Sequence, residues 1–312
     1  YGVPGVRRIP LWLRIVALAV WIQRVLRRNR RRHLLQKRLA GRRILITGGA
    51  SGLGLMLARK CVREGADVVI VWDVRAAACS GALTELRRVA SPSSVIKAQH
   101  VDVTDRTAVY RHVEELQRDL GPLDVVVMNA GVVGGKALIE ADDESMERTM
   151  AVNATSHFWL VRAVLPGMLE RDQGHVVCIS SAAAMGGTPG LSDYSASKAA
   201  AFTFAESLRM EVRKAGARGV HVTTVCPYFI STGMFAGVTS RWRFLLPILE
   251  PEHVAQRILD AIKAKDPLVI MPPILHLVPV LRGVLPVEMF DRAADWLGVT
   301  SSMDFFVGRS PT

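Results

Sequence analysis

Tyr194 and Lys198 stand four positions apart. On a helix that spacing puts both side chains on one face. A free phenol ionises near pH ~10, and an ammonium beside it favours the phenolate and pulls that value toward neutrality. Such a pair is suited to exchange a proton with an alcohol or a carbonyl. Alone it is also an ordinary exposed helix pair, so its meaning rests on the elements that would position it.

Those elements begin with a short apolar run at Arg43-Ile44-Leu45-Ile46, which ends at Thr47-Gly48-Gly49-Ala50-Ser51-Gly52-Leu53-Gly54. The residues that follow, Leu55 to Cys61, read as a helix. A buried strand, a glycine turn and a helix N-terminus make a phosphate cradle. The glycines let the backbone approach closely, and the helix end offers unpaired N–H groups and a partial positive charge. A second apolar strand, Asp67 to Asp73, ends in a carboxylate about 20 residues past the glycines, where it can accept from both hydroxyls of a ribose and repel a 2′-phosphate. NAD(H) is therefore the expected cofactor. Arg75, two residues on, leaves NADP(H) open.

Further strands are expected at Val95–Val101, closing with Asp102-Val103, and at Asp124–Met128, closing with Asn129-Ala130-Gly131. His175–Ile179, delivering Ser180-Ser181, and Val220–Cys226, ending at Pro227, complete the set. Strands alternating with helical segments predict an α/β doubly wound parallel sheet, a Rossmann fold, with ligands at the C-terminal strand ends.

The net charge of +12 is localised. Thirteen of the 40 basic residues fall within residues 1–43, before the first acid, Glu64, leaving 27 against 28 acids in the body. Nucleic-acid binding would call for cations and aromatics spread over a folded face, so no nucleic-acid partner is expected. The four cysteines show no Cys-x-x-Cys spacing, and two lie in apolar runs, so no metal site or disulfide framework is expected.

The chain begins at Tyr1, not Met. Leu11 to Ile22 is apolar apart from Arg14 and is shorter than the ~20 residues of a span. Leu11, Ile15, Leu18, Ile22 and Leu26 recur at helical spacing, with arginines loading the C-terminal end. The arm reads as a membrane-associated helix lying in an interface, or as the tail of a longer span begun upstream. Packing on the protein's own body is the other reading. The division expected is an arm over 1–40, a dehydrogenase-like domain over 41–268 with a lid at about 229–249, and an apolar Pro-rich extension over 269–312.

Taken in order and spacing, Thr47-Gly-x-x-x-Gly52-x-Gly54, Asp73, Asp102, Asn129-Ala130-Gly131, Asn153, Ser181 and Tyr194-x-x-x-Lys198 make residues 41–265 resemble the short-chain dehydrogenase/reductase family. The resemblance implies the catalytic set Asn153, Ser181, Tyr194 and Lys198. Tyr194 would exchange the proton, Ser181 would hold the substrate oxygen, and Lys198 would lower the Tyr194 pKa and bond the nicotinamide ribose. Asn153 would hold a water linking Lys198 to solvent. It also implies that Thr47, Gly48, Ser51, Gly52, Leu53 and Gly54 form the pyrophosphate turn. Asp102 and Val103 would flank the adenine, and Asn129, Ala130 and Gly131 would lie near the cofactor. Pro227 and Thr232 match a Pro-Gly-x-x-x-Thr pattern in which Tyr228 replaces the glycine.

Trp72-Asp73, Cys226 to Ile230, Thr232 to Phe235 and Ser302 to Gly308 resemble the microsomal retinol dehydrogenases, the epidermal group among them, and the related lipid-droplet 17-beta-hydroxysteroid dehydrogenases. That likeness implies a lipophilic alcohol (retinoid, steroid or fatty alcohol) and a homodimer or homotetramer. It also implies a place at the cytosolic face of the endoplasmic reticulum or a lipid droplet, or an inner membrane in a bacterium. The lid's Phe229, Ile230, Met234, Phe235, Trp242, Phe244, Leu245 and Leu246 suit an apolar pocket. The run Val269 to Val287 carries four prolines, which forbid one straight helix. It reads as a membrane-dipping entrance, or as a surface packed on the body or another subunit. The competing functions are an NADPH-dependent keto-lipid reductase and a lipid-surface scaffold that keeps a nucleotide fold.

Overall fold

The computed structural model describes residues 39–308; the arm read over residues 1–40, with its membrane-associated helix, lies almost wholly outside them. Seven parallel strands form one sheet in the order β3-β2-β1-β4-β5-β6-β7. They are β1 (Arg43–Thr47), β2 (Val68–Asp73), β3 (Val95–His100), β4 (Val125–Met128), β5 (Gly174–Ile179), β6 (Val220–Pro227) and β7 (Leu268–Met271). The order reverses between β1 and β4, so a crevice opens there at the C-terminal strand ends.

Helices cover both faces. On one side α1 (Gly52–Arg63), α2 (Ala76–Val89) and α7 (Pro251–Ala264) bury Leu57, Leu86 and Ile258 against Ile44, Ile46, Val69 and Val71. On the other, α3 (Arg106–Leu120), α5 (Ser156–Glu170) and α6 (Ser192–Lys214) bury Leu116, Leu160 and Leu208 against Leu45, Ile70 and Val126. Successive strand residues thus serve opposite cores, which is why β2 and β4 are buried throughout. Each such Val or Ile contributes about 1.5–3 kcal/mol.

Between β4 and α5, helix α4 (Asp143–Met150) is capped by the Asp142 carboxylate accepting from Ser145 N at 2.8 Å. The helix runs through one π turn, Ala151–Thr155, into α5. After β7 come a 3₁₀ turn, Pro273–Leu277, then α8 (Val278–Val284) and α9 (Val287–Leu297), with Pro286 breaking the two apart. The domain boundary drawn at residue 268 therefore needs correction. It falls at the first residue of β7, so the sheet extends into the stretch read as an extension. Leu268-Val-Ile-Met271 is a buried edge strand that Pro272 and Pro273 end, and its apolarity merged with the Pro-rich run behind it. Among the described residues no helix is long and apolar enough to cross a membrane.

Candidate active site

The glycine turn between β1 and α1 is shaped by backbone. Gly48 has φ +59°, and a Cβ there would lie 2.8 Å from Ala130 Cα. A Cβ on Gly54 would strike the carbonyl of Gly48, so only glycine lets α1 start this close to the turn. Thr47 ties the turn to β4, its hydroxyl accepting from Asn129 N and Ala130 N, both at 3.1 Å. The Asn129 amide donates to the carbonyls of Thr47 and Gly48 at 3.0 and 3.1 Å, bracing the ends of β1 and β4 together. Ser51, the residue before α1, makes no side-chain cap to its own helix. The first-turn N–H groups, which have no partner within a helix, are left for an anion.

Asp73 closes β2 with its side chain 6% exposed. Its carboxylate accepts from Ala50 N at 3.3 Å and from Arg75 N and Nε at 3.1 and 3.2 Å. Arg75 Nη2 also donates to Ser51 Oγ at 2.5 Å, spanning from the ribose corner to the glycine turn. Asp102 accepts from Thr104 N and Oγ1 and shapes the loop after β3.

The residues expected to react meet where α6 passes the ends of β5 and β6. Tyr194 and Lys198 sit one turn apart on α6, both buried. Lys198 Nζ donates to Ile179 O at 2.9 Å and lies 5.7 Å from the centre of the Tyr194 ring. An ammonium has three donors, so two remain for the cleft. Ser181 Oγ accepts from Ala183 N at 3.2 Å and donates to Pro227 O at 3.5 Å, close enough to the Tyr194 hydroxyl to lower its pKa. Ser180, by contrast, commits its hydroxyl to Lys198 O at 2.7 Å.

Asn153 sits in the π turn, fully buried. Its Oδ1 accepts from Val132 N at 2.8 Å, while Nδ2 donates to Val132 O at 2.9 Å and Ser197 Oγ at 3.0 Å. Ser197 in turn donates to Tyr194 O at 2.7 Å. These bonds fasten the loop after β4 to the tyrosine's own helix. Asn153 Oδ1 and Lys198 Nζ flank Gly131, where a Cβ would lie 3.3 and 3.5 Å from them.

Burial pushes the Tyr194 phenol up to about 12, opposed only by its bond to Ser181. Burial also brings the Lys198 ammonium down to about 8. Lys198 is thus itself desolvated, with its ammonium donating to Ile179 O.

One cavity of about 720 Å³ runs from the glycine turn past Tyr194 into an apolar chamber. Sixteen of the eighteen residues singled out from sequence line it; the other two, Thr47 and Asn153, stand behind the wall as braces. The chamber is walled by Phe229, Met234, Phe235, Leu245 and Leu246 from the lid. The lid closes on itself where Ser231 N donates to Leu249 O and Leu249 N to Phe229 O. Trp242 and Phe244 do not reach the chamber. Phe244 is 78% exposed, and Trp242 stacks on Trp296 at 5.1 Å with Nε1 donating to Trp296 O. Tyr228 lines the chamber, packs on Phe229, and has its phenol pushed up to about 12 by burial. Thr232 lines the cavity and begins the short turn Gly233–Phe235.

Residues 42–242 match the family described as short chain dehydrogenase. The chain belongs to that family. This short-chain dehydrogenase is a nicotinamide-dependent oxidoreductase working between an alcohol and a carbonyl. A human protein named epidermal retinol dehydrogenase 2 is 39% identical over 272 residues, 87% of each chain. A Danio rerio protein named retinol dehydrogenase 10-A is 33% identical over 296 residues, 88% of this chain and 87% of its own. A solved short chain dehydrogenase/reductase from Burkholderia phymatum, in complex with NAD, superposes with a TM-score of 0.70 at 24% identity. It covers 78% of this chain and 94% of that one, and shows the shared fold. The cleft of this dehydrogenase fits a dinucleotide on its own chemistry: uncapped helix N–H groups at one end, a buried carboxylate at a strand tip, and a lysine with donors to spare.

Two parts of the dehydrogenase's site escaped sequence reasoning. Ser197, inside the Tyr-x-x-x-Lys stretch, relays between Asn153 and the Tyr194 carbonyl, and nothing in its spacing marks it. The far chamber wall is α9, through Phe290, Ala293, Ala294 and Leu297. Their i, i+3, i+4, i+7 spacing was the available signal, obscured by the prolines before it.

Proposed function

We propose that this chain is an NAD(H)-linked dehydrogenase of a lipophilic alcohol (retinoid, steroid or long-chain), associated with the cytosolic face of the endoplasmic reticulum, a lipid droplet or a bacterial inner membrane. The observation that carries the reading is the continuity of the cavity: a carboxylate at the ribose end, Tyr194 and Ser181 midway, hydrocarbon beyond. The names of the relatives and the basic, apolar composition of residues 1–43 support it.

Bound nicotinamide supplies the hydride acceptor or donor. Gly48, Gly52 and Gly54 would hold a bound dinucleotide's pyrophosphate, and the Asp73 carboxylate would accept from its ribose hydroxyls. Ser181 Oγ holds the substrate oxygen against Tyr194 Oη. Tyr194 takes the alcohol proton in oxidation and returns it in reduction. Oxidation needs Tyr194 as the phenolate, and the Lys198 ammonium, one turn away on the same helix, is placed to stabilise it. The lid and α9 keep water out. Phe158 and Met210, exposed on α5 and α6, support a homodimer or homotetramer.

A panel of retinoid, steroid and long-chain alcohols with NAD in liposomes tests the reading. Turnover of several apolar alcohols is expected; exclusive use of small polar alcohols overturns it. Arg75 favours a second reading, a keto-lipid reductase using NADPH. Its guanidinium neutralises Asp73 and lies where a 2′-phosphate would need a cation. A preference for NADPH in the same assay, lost in Arg75→Ala, selects it.

A further inference from the structure

The mouth of the apolar chamber is rimmed by hydrocarbon that faces solvent. Helix α8 buries none of its residues. Val280, Val284 and Val287 are 59%, 76% and 71% exposed. Ile274, Leu277 and Leu281 are also exposed, and the same three side chains line the cavity. Of the eighteen large apolar side chains exposed among the described residues, nine lie on residue 244 or on residues 274–296. Isolated exposed apolar residues are ordinary, whereas a continuous patch marks a docking surface.

We infer that this rim docks on a zwitterionic phospholipid surface and opens the chamber directly to the acyl-chain region. The inference rests on the lipophilic-substrate reading above. Two observations select this occupant. The patch and the cavity share residues, so a second copy of the chain or a protein partner seated there would stopper the mouth, whereas acyl chains continue it. The charges on the same elements are mixed: Arg282 and Arg292 with Glu288, Asp291 and Asp295, beside Arg241 and Arg243 on the lid. Both signs interleaved around an apolar centre complement the phosphate and the ammonium of one neutral head group. Trp242 and Trp296, stacked at the edge, are aromatics of the type that settle at the head-group level. Helix α9 then has two occupied faces, with Phe290 and Leu297 toward the chamber and Met289 and Trp296 outward.

All four native cysteines are buried, so the full chain carrying Val284→Cys takes an environment-sensitive fluorophore selectively. On phosphatidylcholine vesicles containing acyl-chain spin quenchers, the label is expected to shift to the blue and be quenched. The same label at Arg218→Cys, just before β6 and at the other end of the strands, is expected to do neither. Vesicle co-sedimentation with no quenching at position 284 overturns the inference and leaves docking to the N-terminal arm. A blue shift that appears without vesicles and grows with protein concentration also overturns it, in favour of a second copy. In the companion variant, Val280→Asp with Val284→Asp, kcat/KM for a vesicle-dissolved long-chain alcohol is expected to fall about tenfold, with a short water-soluble alcohol unaffected. Equal retention of both substrates overturns the inference. A parent chain that oxidises only the soluble alcohol, with the label still quenched, removes the lipophilic-substrate reading and leaves docking intact.

Discussion

At the nucleotide end of the cavity the walls are backbone and short polar groups. Gly48 and Gly54 admit no Cβ, Asn129 donates to two carbonyls of the turn, and the Asp73 carboxylate is held from three directions. At the substrate end the walls are side chains from the lid and α9, on elements with few or no buried residues. The first end presents directional bonds to a ligand of fixed shape. The second presents non-directional hydrocarbon, which selects for apolarity and size and discriminates a methylene only weakly. Between them, on α6, sits Tyr194, the proposed proton donor and acceptor. The difference shows where changes should be severe and where they should be graded.

The severest break is at the junction. Tyr194→Phe removes the proton donor while leaving the buried ring, its packing on Phe235 and both cavity ends in place. Turnover is expected to fall about 10³-fold, with the dissociation constant of the reduced cofactor unchanged by fluorescence titration. Comparable turnover would remove the tyrosine from the reaction. At the nucleotide end, Asp73→Ala deletes a charged acceptor. The NAD-over-NADP ratio of kcat/KM is expected to fall roughly 10–100-fold, through the NAD arm and through lost repulsion of the 2′-phosphate. An unchanged ratio would assign the choice of cofactor to Arg75.

These two ends were unequally legible in the sequence. Backbone geometry that only glycine permits, and a carboxylate that must stand at a strand tip, leave few alternatives; Gly48, Gly54 and Asp73 were visible for that reason. The same holds for β1, β2, β4 and β5, whose apolar runs end at or just before polar residues. The substrate end is specified by composition, and composition does not say which way a side chain points. Trp242 and Phe244 read as chamber residues and are not, while Phe290 and Leu297, hidden behind four prolines, are. Burial is a further property of the fold and not of spacing. That is why the Tyr194–Lys198 pair was legible as a pair while the depth of its burial was not.

Lys198 is a charged side chain buried at the junction. Its ammonium titrates at about 8 folded against the ordinary 10.5. Between those values the unfolded chain holds a proton that the folded chain has released, so this group makes stability rise with pH from about 8 to 10.5. Below pH 8 the cost of the buried charge is present in full. Lys198→Met removes that cost and loses the bond to Ile179 O, worth about 1 kcal/mol. The variant is expected to be inactive yet about 1–2 kcal/mol more stable at pH 7, with the gain fading toward pH 10.5. Denaturant unfolding at both pH values measures it; a pH-independent difference would mean the ammonium is solvated.

The smallest effect belongs to the chamber wall. Phe290 contacts the cavity from α9 and is half-buried, so Phe290→Ala removes apolar area that a long substrate covers and a short one does not reach. A loss of about 40 Å² of mutual burial corresponds to about 1 kcal/mol. KM for a long-chain alcohol is therefore expected to rise about fivefold with kcat held, and KM for a short alcohol to stay put. A fall in kcat for both would mean that α9 positions Tyr194, and the two ends of the cavity would then be mechanically joined.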